Sequence, residues 1–287
     1  MKFGTMSILF REQLGTDEHI GYVESIKRIS AAGFENADLN LCQICAHKTE
    51  LHKDSWKQYA DKIIQTAQET GISFPQCHLP FKSQKVKWQT AEDYEYYMQM
   101  MYRAIDVASY IGIPWGVVHP DSARNPELTF EQKLEAVHKE YTPVIEYAIK
   151  KGLGIAFENA GAFKEIGFCS LAEHLVELVD HYNDSMVGIC WDTGHANPAY
   201  EDQGEAFRIL GNRLHCTHIA DNNKKADLHL LPFRGTVDWT KVMAGLRAIN
   251  YSGALILEPM INLRTPNELK DAAARFAFES AKLLSEM

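Results

Sequence analysis

The stretches IAFENAG, residues 155–161, and ICWDTGHAN, residues 189–197, contain the pattern that decides the fold. In each one an apolar run leads into a side chain that can bind a metal, Glu158 in the first and Asp192 in the second. An apolar run of this kind is typical of a buried parallel strand that delivers a polar side chain at its C-terminal end. Five further stretches follow a similar pattern and carry His78, His119, His218, Asp227 with His229, and Glu258.

Strand-like stretches recur along the chain, and helix-like stretches separate them. We predict strands at Lys2–Leu9, Glu35–Asn40, Ile72–His78, Trp115–His119, Leu153–Glu158, Met186–Asp192, Leu214–Ala220 and Ala254–Glu258. We predict helices at Asp17–Ala32, Asp54–Thr70, Ala91–Ile111, Pro126–Lys151, Ser170–Tyr182, Asp202–Gly211, Asp238–Ile249 and Pro266–Leu284. Strict alternation of strands and helices implies parallel pairing, and eight such units imply closure into a (β/α)8 barrel.

The length and the absence of a phosphate loop favour this barrel over an open sheet. The chain has 287 residues, and a single α/β barrel typically has ~250. An open, doubly wound sheet is the alternative, but no Gly-rich phosphate loop follows any predicted strand. No linker or low-complexity segment divides the sequence. We therefore predict one domain over residues 1–287.

The charge balance and the hydropathy pattern indicate which classes of partner the protein can bind. The net charge is −9, whereas a nucleic-acid-binding protein generally needs a basic face that neutralises phosphates. No basic segment followed by an apolar one begins the sequence, and no apolar run approaches ~18 residues. We therefore expect a soluble cytoplasmic protein, with neither nucleic acid nor a membrane as its partner.

Four residues at the ends of the last four predicted strands form what we call the quartet: Glu158, Asp192, His218 and Glu258. In a barrel the C-terminal strand ends face one mouth, so residues that are distant in sequence can converge there. Three carboxylates around a shared space repel one another unless a cation neutralises them. The mixture of oxygen and nitrogen ligands suits Mn²⁺, Zn²⁺, Co²⁺ or Fe²⁺ better than Ca²⁺. The quartet therefore predicts a site for one divalent metal ion.

A second group, which we call the loop cluster, consists of His195, Asp227 and His229. Asp227 and His229 are two residues apart, so their side chains project to the same side if that segment is extended. The loop cluster predicts either a second metal site or a hydrogen-bonded loop.

A third group, the histidine-pair cluster, consists of His78 and His119 together with Glu158. The two histidines end the third and fourth predicted strands. These residues can bind a further metal with Glu158 as a bridging ligand, or the two imidazoles can hold substrate hydroxyl groups.

The complete set of ligand-type residues, in this order, resembles a known superfamily. Together with the motifs WDTGHAN, HIADN, DLHLLP followed by GTVDW, and LEP, it resembles the xylose isomerase-like TIM barrels. This superfamily joins sugar and sugar-phosphate isomerases and epimerases with the endonuclease IV type of apurinic-site nuclease. The resemblance covers nearly the whole chain.

The resemblance implies a function and assigns roles to the quartet. It implies a divalent-metal-dependent isomerase or epimerase that acts on a small sugar or sugar phosphate through an enediolate-type proton transfer. All four quartet residues would hold one metal ion. Glu158 and Glu258 would also be the acid/base pair, and His195 would contact the substrate. A homo-oligomer is compatible with this interpretation.

The same resemblance leaves a second function open. In the nuclease branch, the residues that match the histidine-pair cluster form one zinc site, and those that match the loop cluster form another. The sequence retains ligand types for all these sites, so a multi-zinc phosphodiesterase that acts on abasic-site DNA is the alternative. A sugar-binding module without catalysis is disfavoured, because a pure binder does not need two glutamates at one cation.

Three residues near the expected mouth are candidates for substrate contact. Trp191 offers an aromatic face that can pack on the C–H surface of a sugar, with packing in the core as the alternative. Arg234 can bind a phosphate or carboxylate through its planar guanidinium group, or it is a solvated loop residue. It departs from the family pattern, as does Phe233, because small and acidic residues are expected there. Lys224 or Lys225 is a candidate to replace an arginine that tagatose-epimerase-like members use near the substrate.

Overall fold

A computed structural model places the chain in a closed barrel of eight parallel strands, which confirms the predicted (β/α)8 fold. The structure describes residues 2–10, 20–45, 49–82, 90–120, 127–261 and 265–287. The strands are β1 (Lys2–Met6), β2 (Asn36–Leu39), β3 (Ser73–His78), β4 (Trp115–Val118), β5 (Gly154–Glu158), β6 (Val187–Asp192), β7 (Leu214–Ile219) and β8 (Ala254–Leu257). Each strand pairs with its neighbours in chain order, and β1 closes the barrel against β8.

Helices connect the strands on the outside of the barrel. The described α-helices are α1 (Tyr22–Ala31), α2 (Trp56–Thr70), α3 (Ala91–Ile111), α4 (Phe130–Lys150), α5 (Ala172–Asp180), α6 (Thr193–Ala196), α7 (Gln203–Leu210), α8 (Trp239–Ala248) and α9 (Lys270–Glu286). The prediction was correct to the residue for α3. The predicted helix starts at Asp17 and Pro126 lie outside the described residues. No prediction was made for α6, because a single turn is too short to reveal an apolar period.

Local sequence sets where several helices begin and end. The side chains of Thr90 and Thr129 each accept a hydrogen bond from the backbone N–H three residues later, at the starts of α3 and α4. These caps satisfy donors that the first turn of a helix leaves unpaired. Gly71 and Gly112 end α2 and α3 with φ of 74° and 86°, a left-handed conformation that glycine adopts without steric cost. The chain can therefore turn sharply into the next strand.

Alternation along the strands positions the ligand-type side chains. Val117, Ala156, Cys190 and Cys216 form a small, fully buried apolar cluster. Two positions further along the same strands come His119, Glu158, Asp192 and His218. Side chains at i and i+2 share one face of a strand. The ligand-type residues therefore stand above this apolar cluster, toward the C-terminal mouth of the barrel.

The larger apolar core lies between the strands and the helices. The strand residues that alternate with the ligand-type ones, such as Phe157 and Trp191, belong to this core and are fully buried. The helices cover it with one face each; in α5 the buried residues include Leu175, Leu178 and Val179. None of the helices in the described part of the chain is both long enough and apolar enough to span a bilayer.

Candidate metal centre

The structure brings the four quartet residues together at the C-terminal mouth. Each offers one ligand atom, and all four atoms lie within 4.8 Å of one another. His218 Nδ1 is 2.9 Å from Glu158 Oε1 and 3.5 Å from Glu258 Oε2. Asp192 stands opposite His218 in the pairing of β6 with β7. The arrangement is mostly shielded from solvent, because three of the four residues are buried and the Glu258 side chain is only 16% exposed.

Two carboxylate oxygens of the quartet have no hydrogen-bond partner among the described residues. They are Glu158 Oε2 and Asp192 Oδ2, and both are buried. The second oxygen of Asp192, Oδ1, accepts a hydrogen bond of 2.7 Å from the backbone N–H of His195. Leaving a buried carboxylate oxygen without a partner costs free energy unless a charge or donor compensates it. The donor set and the unpartnered Asp192 Oδ2 therefore fit a cation between the quartet residues, whereas Glu158 Oε2 is directed at His119 Nε2, 3.2 Å away.

The electrostatics of the quartet reflect crowding of charge in a buried space. Burial raises the pKa of Asp192 to about 6, and the nearby carboxylates add to this shift. Burial also acts to raise the pKa of Glu158. The imidazoles of His218 and His119 outweigh this effect and hold the pKa of Glu158 well below its usual range. Burial opposes a charged His218, yet the neighbouring acidic groups raise its pKa well above the ordinary value. A metal ion that binds to His218 has to displace a proton from its imidazole.

The loop cluster also assembles. Asp227 Oδ2 lies 3.0 Å from His229 Nε2 and 3.5 Å from His195 Nε2. The Nδ1 atoms of the two histidines face backbone carbonyl oxygens, at 2.8 Å from Asn159 and 3.1 Å from Glu258. These contacts orient the rings so that both Nε2 atoms point toward Asp227. Burial disfavours a charged His229, but the hydrogen bond with Asp227 raises its pKa to about 9.

The histidine-pair cluster assembles beside the quartet and shares Glu158 with it. His78 Nε2 and His119 Nε2 are 2.9 Å apart. Glu158 Oε2 lies 3.2 Å from His119 Nε2 and 3.8 Å from His78 Nε2. Burial lowers the pKa of His119 to about 3, so this imidazole is neutral near pH 7. A neutral imidazole is the form that binds a metal.

Two buried residues that were not predicted support these groups. The carboxylate of Asp38, on β2, accepts hydrogen bonds from Gln76 Nε2 at 2.8 Å and from the backbone N–H of His78 at 2.9 Å, and it lies 3.3 Å from His218 Nε2. Asn159 bridges β5 and β6, because its side chain makes hydrogen bonds of 2.6 and 3.0 Å with the backbone of Asp192. The sequence signal for Asp38 was a carboxylate inside a short strand, two positions after Asn36.

The three candidates for substrate contact lie in different places. Trp191 is fully buried, and its indole N–H donates a hydrogen bond of 3.0 Å to Gln203. Because side chains alternate along β6, an inward Asp192 turns Trp191 outward into the helix layer, where a substrate at the mouth does not reach it. The ammonium group of Lys224 pairs with Glu201 at 2.7 Å and lies outside the three clusters. Arg234 is exposed and lines a pocket together with residues of the loop cluster.

Curated relatives match parts of the chain. A protein of uncharacterised function from Sinorhizobium fredii, y4fM, is 29% identical over 199 residues, which are 67% of this chain and 58% of the relative. A D-psicose 3-epimerase from Enterocloster bolteae is 34% identical over 89 residues, which are 31% of this chain and 28% of the relative. The matched stretches therefore span less than two thirds of the length of either relative.

Solved structures match the whole chain and agree with the fold. A D-tagatose 3-epimerase-like protein superposes with a TM-score of 0.75 at 22% identity, covering 100% of this chain and 99% of that one. A D-psicose 3-epimerase solved in the presence of D-fructose has a TM-score of 0.74 at 18% identity, covering 99% of both chains. The family model for the xylose isomerase-like TIM barrel matches residues 23–277. Because this match includes most of the sequence, the chain belongs to the xylose isomerase-like TIM barrel family.

Proposed function

We propose that the protein is a divalent-metal-dependent isomerase or epimerase of a sugar or sugar phosphate, with its active site at the quartet. The observation that carries this proposal is the convergence of three carboxylates and one imidazole in a largely buried space, with Asp192 Oδ2 left without a hydrogen-bond partner among the described residues. The named relatives, which include D-psicose 3-epimerases, support the reaction class.

The proposed cofactor is Mn²⁺, Zn²⁺, Co²⁺ or Fe²⁺, held by the four quartet residues. Three carboxylates and an imidazole match the mixed ligand preference of these ions. When bound, such an ion supplies a Lewis acid that holds neighbouring carbonyl and hydroxyl oxygens and acidifies the C–H bond between them. The proposal requires only one ion, at the quartet. The loop cluster and the histidine-pair cluster offer ligands for further ions.

The proposed proton transfer uses the two glutamates of the quartet. Glu158 and Glu258 end β5 and follow β8, so they approach the shared space from different strands. One glutamate removes the proton next to the carbonyl, and the other returns a proton to the enediolate. His195 stands next to both the quartet and the loop cluster, since its Nδ1 is 3.6 Å from Glu158 Oε1. We assign to His195 a hydrogen bond to the substrate.

A multi-zinc phosphodiesterase is the second candidate. The observation that favours it is the presence of three clusters of ligand-type residues that share Glu158 or lie next to it. The net charge of −9 opposes binding of DNA, and the relatives whose activity is named are sugar epimerases. The isomerase or epimerase is therefore the preferred function.

Deuterium exchange tests the preferred function directly. Metal-loaded protein in deuterated water should incorporate deuterium into at least one member of a panel of ketoses and ketose phosphates, and chelation should abolish the incorporation. Asp192→Asn removes one anionic ligand, so elemental analysis should give a lower metal content for this variant and exchange should fall in parallel. A blank across the whole panel, together with cleavage of abasic-site DNA, would favour the phosphodiesterase. Full metal content in Asp192→Asn would contradict the ligand assignment.

A further inference from the structure

Gln76 and Asp38 form a buried polar pair in the barrel interior, where such barrels mostly carry bulky apolar side chains. Gln76 lies two residues before His78 on β3 and therefore shares its inward direction. Asp38 is the direct partner of Gln76 in the pairing of β2 with β3. The two residues are 2% and 1% exposed. Because burial of a carboxylate costs free energy, the pair calls for a role other than filling the barrel.

Two contacts from β3 fix the orientation of the Asp38 carboxylate. The backbone N–H of His78 donates a hydrogen bond of 2.9 Å to Oδ1, and the side chain of Gln76 donates one of 2.8 Å to Oδ2. The first bond alone would let the carboxylate pivot about Oδ1. The bond from Gln76 removes this freedom, and it does so at the oxygen that lies 3.3 Å from His218 Nε2. Gln76 therefore sets the direction of Oδ2.

Gln76 is itself held from two sides of the barrel. Its amide nitrogen lies 2.8 Å from Asp38 Oδ2 on β2 and 3.5 Å from the carbonyl oxygen of Thr217 on β7. Both neighbours are acceptors, which matches the two N–H groups of a side-chain amide. Thr217 immediately precedes His218. Gln76 thus joins Asp38 to the strand that carries the imidazole.

We infer that Gln76 is a positioning residue of the candidate metal centre and acts through Asp38 on His218. This inference rests on the proposed function, which places a metal ion at the quartet. With Asp38 Oδ2 beside Nε2, the other ring nitrogen of His218, Nδ1, faces Glu158 and Glu258 at 2.9 and 3.5 Å. A hydrogen-bond partner behind a metal-binding histidine fixes the orientation of its ring. Gln76 keeps that partner in place.

Metal affinity tests the inference without requiring turnover. Gln76→Met keeps the length of the side chain but removes the donor, so Asp38 Oδ2 loses the contact that directs it. The affinity for Co²⁺, measured by competition with a chromogenic chelator, should fall by about tenfold or more. The visible spectrum of bound Co²⁺ should change as well, because it reports the arrangement of the ligands. Gln65→Met is the control, since Gln65 is exposed on α2. Unaltered affinity and spectrum in Gln76→Met would overturn the inference.

A double-mutant cycle distinguishes action through Asp38 from a general loss of packing. If Gln76 acts through Asp38, adding Gln76→Met to Asp38→Asn should change Co²⁺ affinity by no more than about twofold. Fully additive losses would mean that Gln76 affects the site by another route, and they would overturn the inference. Thermal unfolding of the metal-free variants records any loss of stability separately from metal affinity.

A measurement on the unchanged chain covers the case in which Gln76→Met does not fold. The side-chain N–H of Gln76 and the Nε2 atom of His218 both face Asp38 Oδ2. In Zn²⁺-loaded protein with nitrogen-labelled Gln and His, His218 should show an Nε2–H signal that is protected from exchange with water. This proton should give a nuclear Overhauser contact with the Gln76 amide. Absence of that contact would overturn the inference.

The metal titration also separates this inference from the proposed function. Equal Co²⁺ binding by wild type and Gln76→Met would overturn the inference and leave the proposed function intact. A wild-type protein that binds none of Mn²⁺, Zn²⁺, Co²⁺ and Fe²⁺ would contradict both. Weaker Co²⁺ binding by Gln76→Met, in a protein that exchanges no deuterium, would support the role of Gln76 and contradict the proposed reaction.

Discussion

At the scale of single residues, four of the five mouth histidines are oriented by an oxygen atom on one side of the ring. These oxygens are the carbonyls of Leu79, Asn159 and Glu258 for His78, His195 and His229, and the carboxylate of Asp38 for His218. Each contact fixes the ring orientation and leaves the other nitrogen pointing into a cluster. This is the usual way in which proteins prepare imidazoles for metal binding.

The two glutamates can be separated by conservative substitution. Glu→Gln keeps an oxygen ligand and the shape of the side chain but removes the base. If both residues transfer protons, metal-loaded Glu158→Gln and Glu258→Gln should each lower the exchange rate by ~10²-fold or more. Glu165→Gln is the control, because Glu165 is exposed in the loop after β5. Near-normal deuterium exchange by metal-loaded Glu258→Gln would show that Glu258 is a metal ligand and does not transfer protons.

Asp38 allows a test of whether a residue that contacts a metal ligand affects metal affinity. Its carboxylate lies 3.3 Å from His218 Nε2, on the side of the ring opposite the quartet. Because such partners orient the ligand and raise its basicity, Asp38→Asn should weaken metal affinity by about 10–100-fold. Competition with a chromogenic chelator measures this affinity. Asp54→Asn should leave it unchanged, since Asp54 is fully exposed. An unaltered metal affinity in Asp38→Asn would show that Asp38 has only a packing role.

At the scale of elements, the loop between β7 and α8 is organised around one buried carboxylate. Asp221 Oδ1 accepts hydrogen bonds from the backbone of Asn222 and Val237, and Oδ2 accepts from Gly235 and the Trp239 indole. The four distances lie between 2.8 and 3.2 Å. Buried backbone N–H groups in a loop need acceptors of this kind, because no strand or helix supplies them. Asp221 thereby holds the segment that carries Asp227 and His229.

Asp221→Asn should therefore disorder this loop. An amide nitrogen cannot accept the hydrogen bonds that Oδ2 accepts, so the buried Trp239 indole N–H and the part-buried Gly235 N–H lose their partner, at a cost of about 2 kcal/mol or more. Limited proteolysis should cleave between residues 223 and 235 earlier than in the wild type. Asp238→Asn is the control, because Asn caps a helix start about as well as Asp. Equal cleavage of Asp221→Asn and wild type would contradict the assignment.

At the scale of the whole molecule, we propose that residues 1–287 unfold as one domain whose stability is linked to metal binding. A ligand that binds only the folded state adds about 4 kcal/mol at a free concentration of 1,000 times Kd. A domain of this size gains roughly 2–4 °C in Tm per kcal/mol. Calorimetry should therefore give one transition that rises by roughly 8–16 °C when a chelated sample is reloaded. No shift with Mn²⁺, Zn²⁺, Co²⁺ or Fe²⁺ would contradict the metal site.

The sequence by itself determined the barrel and the identity of most side chains at its mouth. Apolar runs end at ligand-type residues, and strict alternation with helices makes the strands parallel. Because parallel strands of a barrel all deliver their C-terminal ends to one mouth, Glu158, Asp192, His218 and Glu258 could be expected to meet although 100 positions separate the first from the last. The alternation of side chains along a strand also predicts that Trp191, next to Asp192, points away from the barrel interior. The sequence analysis did not apply this rule when it proposed Trp191 as a substrate contact.

Only the tertiary structure decided how these side chains are grouped and supported. That Glu158 stands between two clusters depends on the register of β5 with β4 and β6 and on side-chain rotamers, neither of which is encoded in a local pattern. Asp38 reaches His218 across 180 positions of sequence, and a backbone hydrogen bond from Met260 to His229 joins the segment after β8 to the loop after β7. Such contacts arise from packing between distant segments, and periodicity within one segment carries no information about them.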